Sequence, residues 1–327
     1  MGNIVFIVAL FFSSFILSQL LTKLMIRISF SLGLLGRDVH KPNQPLVPRI
    51  GGLAVVITYL TFSGVALLIF KSGLVASFLI APAIAAVIGF IEDLRELNPL
   101  LKPIMLLLPG LPVVLLGAYE PRPVLPFIGQ VRITILYPLL VLVAYTVVTN
   151  AVNSLDVING SLVLTSTPPL VMLAGISAIN GRIDSSVAAM ILIAAMLGFL
   201  RYNWFPARAF SGNAGSNLVG AVIAGIAISS RLEVAAIIAL IPHIMNEFYI
   251  LVSMRGLKSG KQLRSRPITL SGNLLSSTMS PGAPLTIVRM LAADRPRSEV
   301  EIAIYMAAIS AYASILAVFT QILSQVI

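Results

Sequence analysis

Cysteine is absent from the 327 residues, and histidine occurs only at His40 and His243. The first absence excludes a disulfide framework, a thiolate metal site and a catalytic thiol. The second excludes a multi-histidine metal site. Charge is scarce as well: only 10% of the residues are Asp, Glu, Lys or Arg, against about 25% in an ordinary soluble domain. With 58% hydrophobic residues and a mean hydropathy of +1.00, a disordered chain is excluded too.

What the chain has in quantity is apolar sequence, in runs of roughly 20 residues, the length that crosses about 30 Å of hydrocarbon. They fall near 4–22, 51–70, 73–91, 103–119, 133–149, 161–179, 186–200, 216–230, 232–252 and 301–325. The expectation is an all-α integral membrane protein of about ten transmembrane helices, one polytopic domain over 1–327. The 103–119 run carries Pro103, Pro109 and Pro112, and 216–230 is short, so these two are expected to be tilted, kinked or buried in the bundle. The first run follows Met-Gly-Asn, with no basic leader and no small-residue cleavage site, and reads as a retained span.

Basic residues set the orientation. Seventeen Lys and Arg fall in the loops near 23–50, 92–102, 150–160, 201–215 and 253–300, and five on the other side. The first set is therefore expected in the cytoplasm, with both termini outside. The net charge of +10 is then a topology and headgroup signal, and nucleic acid is not needed as a partner. The outer segment near 120–132 reads as a small hairpin turning at Gly129.

Carboxylates at membrane helix ends need a partner, water or a cation. Glu92, Asp93 and Glu96 follow the third span. If that helix runs on by a turn, Glu92 and Glu96 share a face. Oxygen donors without His or Cys suit Mg²⁺, with Mn²⁺ as a substitute; a hydrated helix end without metal is the alternative. Asn150, Asn153, Asp156 and Asn159 recur by threes, which puts them on one side of a helix as a polar cleft for a base, ribose or sugar, or as inter-helix hydrogen bonds. Gly212, Asn213, Gly215 and Ser216 open an apolar run, and such a start presents free N–H groups to phosphate. His243, Asn246 and Glu247 lie within the ninth span, where internal packing of the His–Glu pair is expected. Lys258, Lys261, Arg264 and Arg266 follow, as headgroup anchors or as a lid over a diphosphate.

Taken in order, these segments resemble the polyprenyl-phosphate N-acetylhexosamine-1-phosphate transferases, of glycosyltransferase family 4 type. The resemblance rests on Gly36–Pro42 with Pro48–Gly52, Gly89–Asp93 with Lys102, Asn150–Gly160, Tyr202-Asn203 with Pro206-Ala207, Phe210–Ser216, Pro242–Tyr249 and Arg264–Pro267. The segments at 150–160, 242–249 and 264–267 are closer to the dolichyl-phosphate branch than to the bacterial peptidoglycan enzyme, and archaeal in type.

This resemblance implies transfer of N-acetylglucosamine-1-phosphate from UDP-GlcNAc to a polyprenyl or dolichyl phosphate with release of UMP, at a cytoplasmic face of the plasma membrane. It implies Mg²⁺ as cofactor, a UDP-N-acetylhexosamine, the lipid phosphate and the bilayer as partners, and a homodimer as a further expectation. Glu92, Asp93 and Lys102 fall in catalytic positions, with Glu92, Asp93 and Asn213 as metal ligands. Lys41, Asn150, Asn153, Asp156, Asn159, Asn203, Gly212, Ser216, Asn246, Arg264 and Arg266 fall in substrate-binding ones. Two positions depart from the family pattern: Glu92 replaces the first acid of an Asp-Asp pair, and Asn213 replaces an Asp that ligates metal. An amide brings no charge, so Asp156 or Glu96 would have to compensate. A non-catalytic lipid-phosphate or nucleotide-sugar binder is the first alternative; a secondary transporter with midplane polar residues is the second.

Overall fold

Backbone N–H and C=O groups have no partner in hydrocarbon, so apolar runs of this length close their hydrogen bonds within helices. The computed structural model describes residues 2–70, 73–258, 262 and 265–326. In chain order it contains α1 (Gly2–Leu32), β1 (Leu35–Arg37), β2 (Leu46–Pro48), α2 (Leu53–Phe70), α3 (Gly73–Leu94), α4 (Leu101–Met105) and α5 (Gly110–Leu115). A hairpin of β3 (Val124–Leu125) and β4 (Gly129–Gln130) leads to α6 (Tyr137–Leu155), α7 (Ser161–Ile179), α8 (Ile183–Asn203) and α9 (Gly212–Ser229). Then come α10 (Glu233–Ala239), α11 (Ile241–Met254), β5 (Ile268–Ser271), β6 (Leu274–Ser277), α12 (Ile287–Leu291) and α13 (Glu299–Val326). The chain is an all-α membrane protein with three two-stranded hairpins in its connections.

Two of the ten expected spans take a different form. Among the described residues, seven helices are long and apolar enough to cross a membrane, and eight if the bent pair α10–α11 is one span. That pair, over the expected span 232–252, turns by 66°; Pro242, which lacks an N–H, stands in the first turn of α11. The 103–119 run is two short helices, with Pro109 capping the second. The 51–70 run forms the 18-residue helix α2, and 216–230 belongs to an 18-residue helix beginning at Gly212 that is buried in the bundle as expected. Its hydropathy is modest because its contact faces are Gly, Ala and Ser, and small residues let helices approach closely. α9 is the axis of the bundle: most of it is buried, with α3 and α6 packed along it.

Two local expectations also change. α3 stops at Leu94, so Glu92 and Glu96 do not share a helical face. α6 stops at Leu155, so only Asn150 and Asn153 lie on a helix, while Asp156 and Asn159 stand in the turn before α7. The hairpin near 120–132 forms, but its turn is Pro126–Ile128, and Gly129 opens the second strand.

Candidate active site

One end of the bundle collects the end of α3, the starts of α4, α7, α9 and α13, the end of α6, and the β1–β2 arm. Asp93 is the hub. Its carboxylate is buried and accepts from the Asn213 backbone N–H at 2.9 Å, the Asn213 side-chain amide at 3.1 Å and the Ala214 N–H at 3.1 Å. The side chain therefore closes the open N–H groups at the start of α9, where a negative charge is also favoured by the helix dipole. Two glycines permit the approach. A Cβ on Gly89 would stand 2.3 Å from the Asn213 carbonyl oxygen, and one on Gly212, which has φ +63°, 2.6 Å from Asp93 Oδ2. Arg49, at the end of the arm, places Nε 3.8 Å from Asp93 Oδ1.

From this hub a chain of polar contacts crosses to α6 and α4. Asn153 donates to Asn213 Oδ1 and to Ser216 Oγ, each at 2.7 Å. Its own Oδ1 accepts from Lys102 Nζ at 2.9 Å, and Lys102 pairs with Glu92 at 2.8 Å. Glu92, Asp93, Lys102, Asn153, Asn213 and Ser216, scattered over 125 positions of sequence, are thus one connected network.

Asn153 stands between two cavities. The larger, about 300 Å³, is lined by Asp93, Asp156, Asn159, Asn203, Gly212 and Asn213 together with Arg37, Asp38, His40 and Arg49. The smaller, about 220 Å³, holds Glu92, Glu96, Lys102, Asn150, Glu247 and Lys258. Burial pushes Asp156 up to about 6, although Ser211 and Ser161 both donate to its carboxylate. A raised carboxylate pKa means that the folded state holds this proton more tightly than the unfolded chain. The associated stability is therefore full below the ordinary aspartate value and lost as pH rises through about 6. Relative to Asp156→Asn, the wild-type protein should lose about 2 kcal/mol between about pH 4 and pH 7, allowing for its partial exposure. Thermal melting of both proteins across that range checks this, and parallel curves would refute it.

The sequence reading overlooked a second cluster. Glu299, buried at the start of α13, accepts from the Asn159 backbone N–H at 2.8 Å and is paired with Lys41. Asp38, also buried, accepts from the Asn159 amide at 3.2 Å and lies 3.4 Å from Lys41. Burial holds His40 below its ordinary value against the pull of both acids, so it is neutral at pH 7. Asn203 fixes the same wall, accepting from the Gly160 N–H at 3.1 Å and donating to the Ala209 carbonyl at 3.0 Å. Because Glu299 ties the arm to the α6–α7 turn, Glu299→Gln should lower stability by about 2 kcal/mol through the weakened Lys41 pair. Unchanged melting would show that the pair contributes nothing.

Of the other candidates, only Asn150 lines either cavity among the described residues. Asn246 is buried, donating to the Ser154 carbonyl at 2.9 Å and accepting from the Ile287 N–H at 2.9 Å, so both ends of its amide are used inside the protein. His243 contacts Thr165, 3.2 Å away, on the neighbouring α7. Ser216 is buried beneath Asn153. Asn150 lines the smaller cavity and also donates to the Thr146 carbonyl. Arg266 is exposed and electrostatically close to His40. Arg264 lies outside the described residues.

Among the described residues no three His, Asp or Glu side chains converge as a metal cluster. The donors lining the larger cavity are nonetheless mainly oxygens, the carboxylates of Asp38, Asp93 and Asp156 and the amide oxygen of Asn213, with His40 as a nitrogen among them. That set fits a hard divalent cation that keeps waters and phosphate oxygens in its shell. Glu92, turned onto Lys102 at the smaller cavity, stands apart from it.

Residues 75–231 match glycosyl transferase family 4. A Sulfolobus acidocaldarius protein bearing the name UDP-N-acetylglucosamine–dolichyl-phosphate N-acetylglucosaminephosphotransferase is 27% identical over 76% of this chain and 78% of its own. A Saccharolobus solfataricus protein of the same name is 25% identical over 76% and 79%. A Bacillus subtilis protein named for undecaprenyl-phosphate N-acetylglucosaminyl 1-phosphate transfer is 28% identical over 65% and 60%.

Proposed function

We propose that this chain, whose residues 75–231 match glycosyl transferase family 4, transfers N-acetylglucosamine-1-phosphate from UDP-GlcNAc to a polyprenyl (dolichyl-type) phosphate. An oxygen of the lipid phosphate attacks the β-phosphorus. The bond from that phosphorus to the bridging oxygen breaks, and UMP leaves with the electron pair. A phosphate monoester has a second pKa of about 6, so the attacker is mostly dianionic at neutral pH. A strong general base is not required.

The observation that carries this reading is the position of Asn153, which lines two adjacent polar cavities at one end of an apolar bundle and accepts from Lys102 in the smaller one. The larger cavity suits the nucleotide-sugar, with Asn159 and Asn203 as polar walls and Arg49 toward the diphosphate. The smaller lies beside α11 and suits the lipid phosphate, whose chain enters sideways from the bilayer. Lys102 neutralises charge that develops on the transferring phosphoryl group, while Asn153 and Asn213 hold it in line. Asp93 and Asp156, with Asn213, would hold Mg²⁺, which supplies Lewis-acid polarisation of the diphosphate. The excess of basic residues in the loops at this end supports a cytoplasmic face, in a plasma-membrane protein.

UMP release by purified protein with UDP-GlcNAc, polyprenyl phosphate and Mg²⁺, against an EDTA control, tests the reading; UMP that needs both lipid and metal is the expected result. A second reading, a binder without turnover, is favoured by Asn213, whose uncharged oxygen is already engaged by Asn153. Silence across a panel of UDP-sugars and lipid phosphates would select it.

A further inference from the structure

We propose that a groove on the outer side of the β1–β2 arm binds the headgroup of an anionic membrane lipid. The groove, about 590 Å³, lies between α1, β2 and the segment joining α8 to α9. Four cations line it, Lys23 and Arg27 from α1 and Arg201 and Arg208 from the α8 end, and no carboxylate does. Among the described residues none of the four has an acidic partner; Arg208 instead donates to the Arg201 carbonyl and stacks on the Tyr202 ring. Four like charges around one concavity repel each other unless an anion sits among them.

The depth of the groove identifies that anion. α1 has 31 residues, roughly 46 Å at 1.5 Å per residue, against about 30 Å of hydrocarbon. Its last turns therefore stand at headgroup level, and Lys23 and Arg27, one turn apart, face that layer together. The remaining walls are apolar: Phe30 and Leu46 are each 56% exposed. A free phosphate makes no use of such walls, whereas a lipid covers them with the upper part of its chains. The site is separate from the catalytic cavities yet mechanically joined to them. β2 forms its floor and runs into Arg49, beside Asp93, and the Pro48 carbonyl accepts from the Phe210 N–H at 2.8 Å.

The test compares wild-type protein with the triple variant Lys23→Gln, Arg27→Gln, Arg208→Gln. Each is reconstituted in phosphatidylcholine discs containing roughly a fifth phosphatidylglycerol. After exchange into phosphatidylcholine alone, the retained phosphatidylglycerol is measured by mass spectrometry. At roughly fivefold per cation, the triple variant should bind about 100-fold more weakly, while Lys23→Arg, Arg27→Lys, Arg208→Lys should retain the lipid. Equal retention by wild type and the triple variant would overturn the proposal. So would displacement of the lipid by inorganic phosphate, which would mark a free-anion site. Should the triple variant fail to fold, photoactivatable phosphatidylglycerol on wild type decides: label on α1, the arm or residues 201–208 supports the site, and label elsewhere overturns it.

Discussion

In Asp93→Asn, UMP release falls at least about 100-fold, or about 2.7 kcal/mol of transition-state stabilisation. The carboxylate is an acceptor at both oxygens, meeting two backbone N–H groups of α9 and the Asn213 amide. An asparagine offers one acceptor and must turn an NH₂ toward a donor. The first turn of α9 then loses part of its cap, which costs about 1 kcal/mol, and Asn213 shifts relative to Asn153. The larger cavity also loses one of its three lining carboxylates, and with it affinity for a divalent cation. The two effects separate by measurement: the lost cap appears as a small drop in melting temperature, the lost charge as weaker dependence of rate on Mg²⁺. A rate near wild type would remove Asp93 from the site.

How much of this was legible beforehand follows from the range of the forces involved. Membrane helices announce themselves locally, and the run at 161–179 coincides with α7. The 66° bend between α10 and α11 does not, because both arms are apolar and only Pro242 hints at a break. The polar network was legible as a set of residues but not as a set of bonds. Spacing by threes put Asp156 and Asn159 on a helix that ends at Leu155, since a short turn with Gly160 at φ +81° leaves the same spacing. Asp38 and Glu299 escaped for different reasons. Asp38 sits inside a segment that the family resemblance had already singled out, and its burial was the missing datum. Glu299 reads as an ordinary acid in a first helical turn, and its partner Asn159 is 140 residues away. The β5–β6 hairpin did carry a local signal: its strands flank the two residues Gly272-Asn273, with Gly272 at φ +62°.

Lys102→Ala should also lower turnover at least about 100-fold, and by a different route. Its ammonium touches both an acid of the smaller cavity, Glu92, and the amide that reaches the larger one, Asn153. Truncation leaves Glu92 unpaired beside the incoming lipid phosphate and removes the positive charge next to the transferring phosphoryl group. Both changes repel the dianionic acceptor, so the Michaelis constant for lipid should rise while kcat falls. Asp93→Asn, acting at the larger cavity, should leave that constant nearly unchanged. Lys102→Arg keeps the charge but not the compact ammonium that fits between Glu92 and Asn153, so partial recovery is expected. If Lys102→Ala instead raised only the Michaelis constant for UDP-GlcNAc, the assignment of the two cavities would have to be exchanged. If neither constant moved, Lys102 would serve only to pair Glu92, and charge neutralisation would pass to Arg49, the remaining cation beside Asp93.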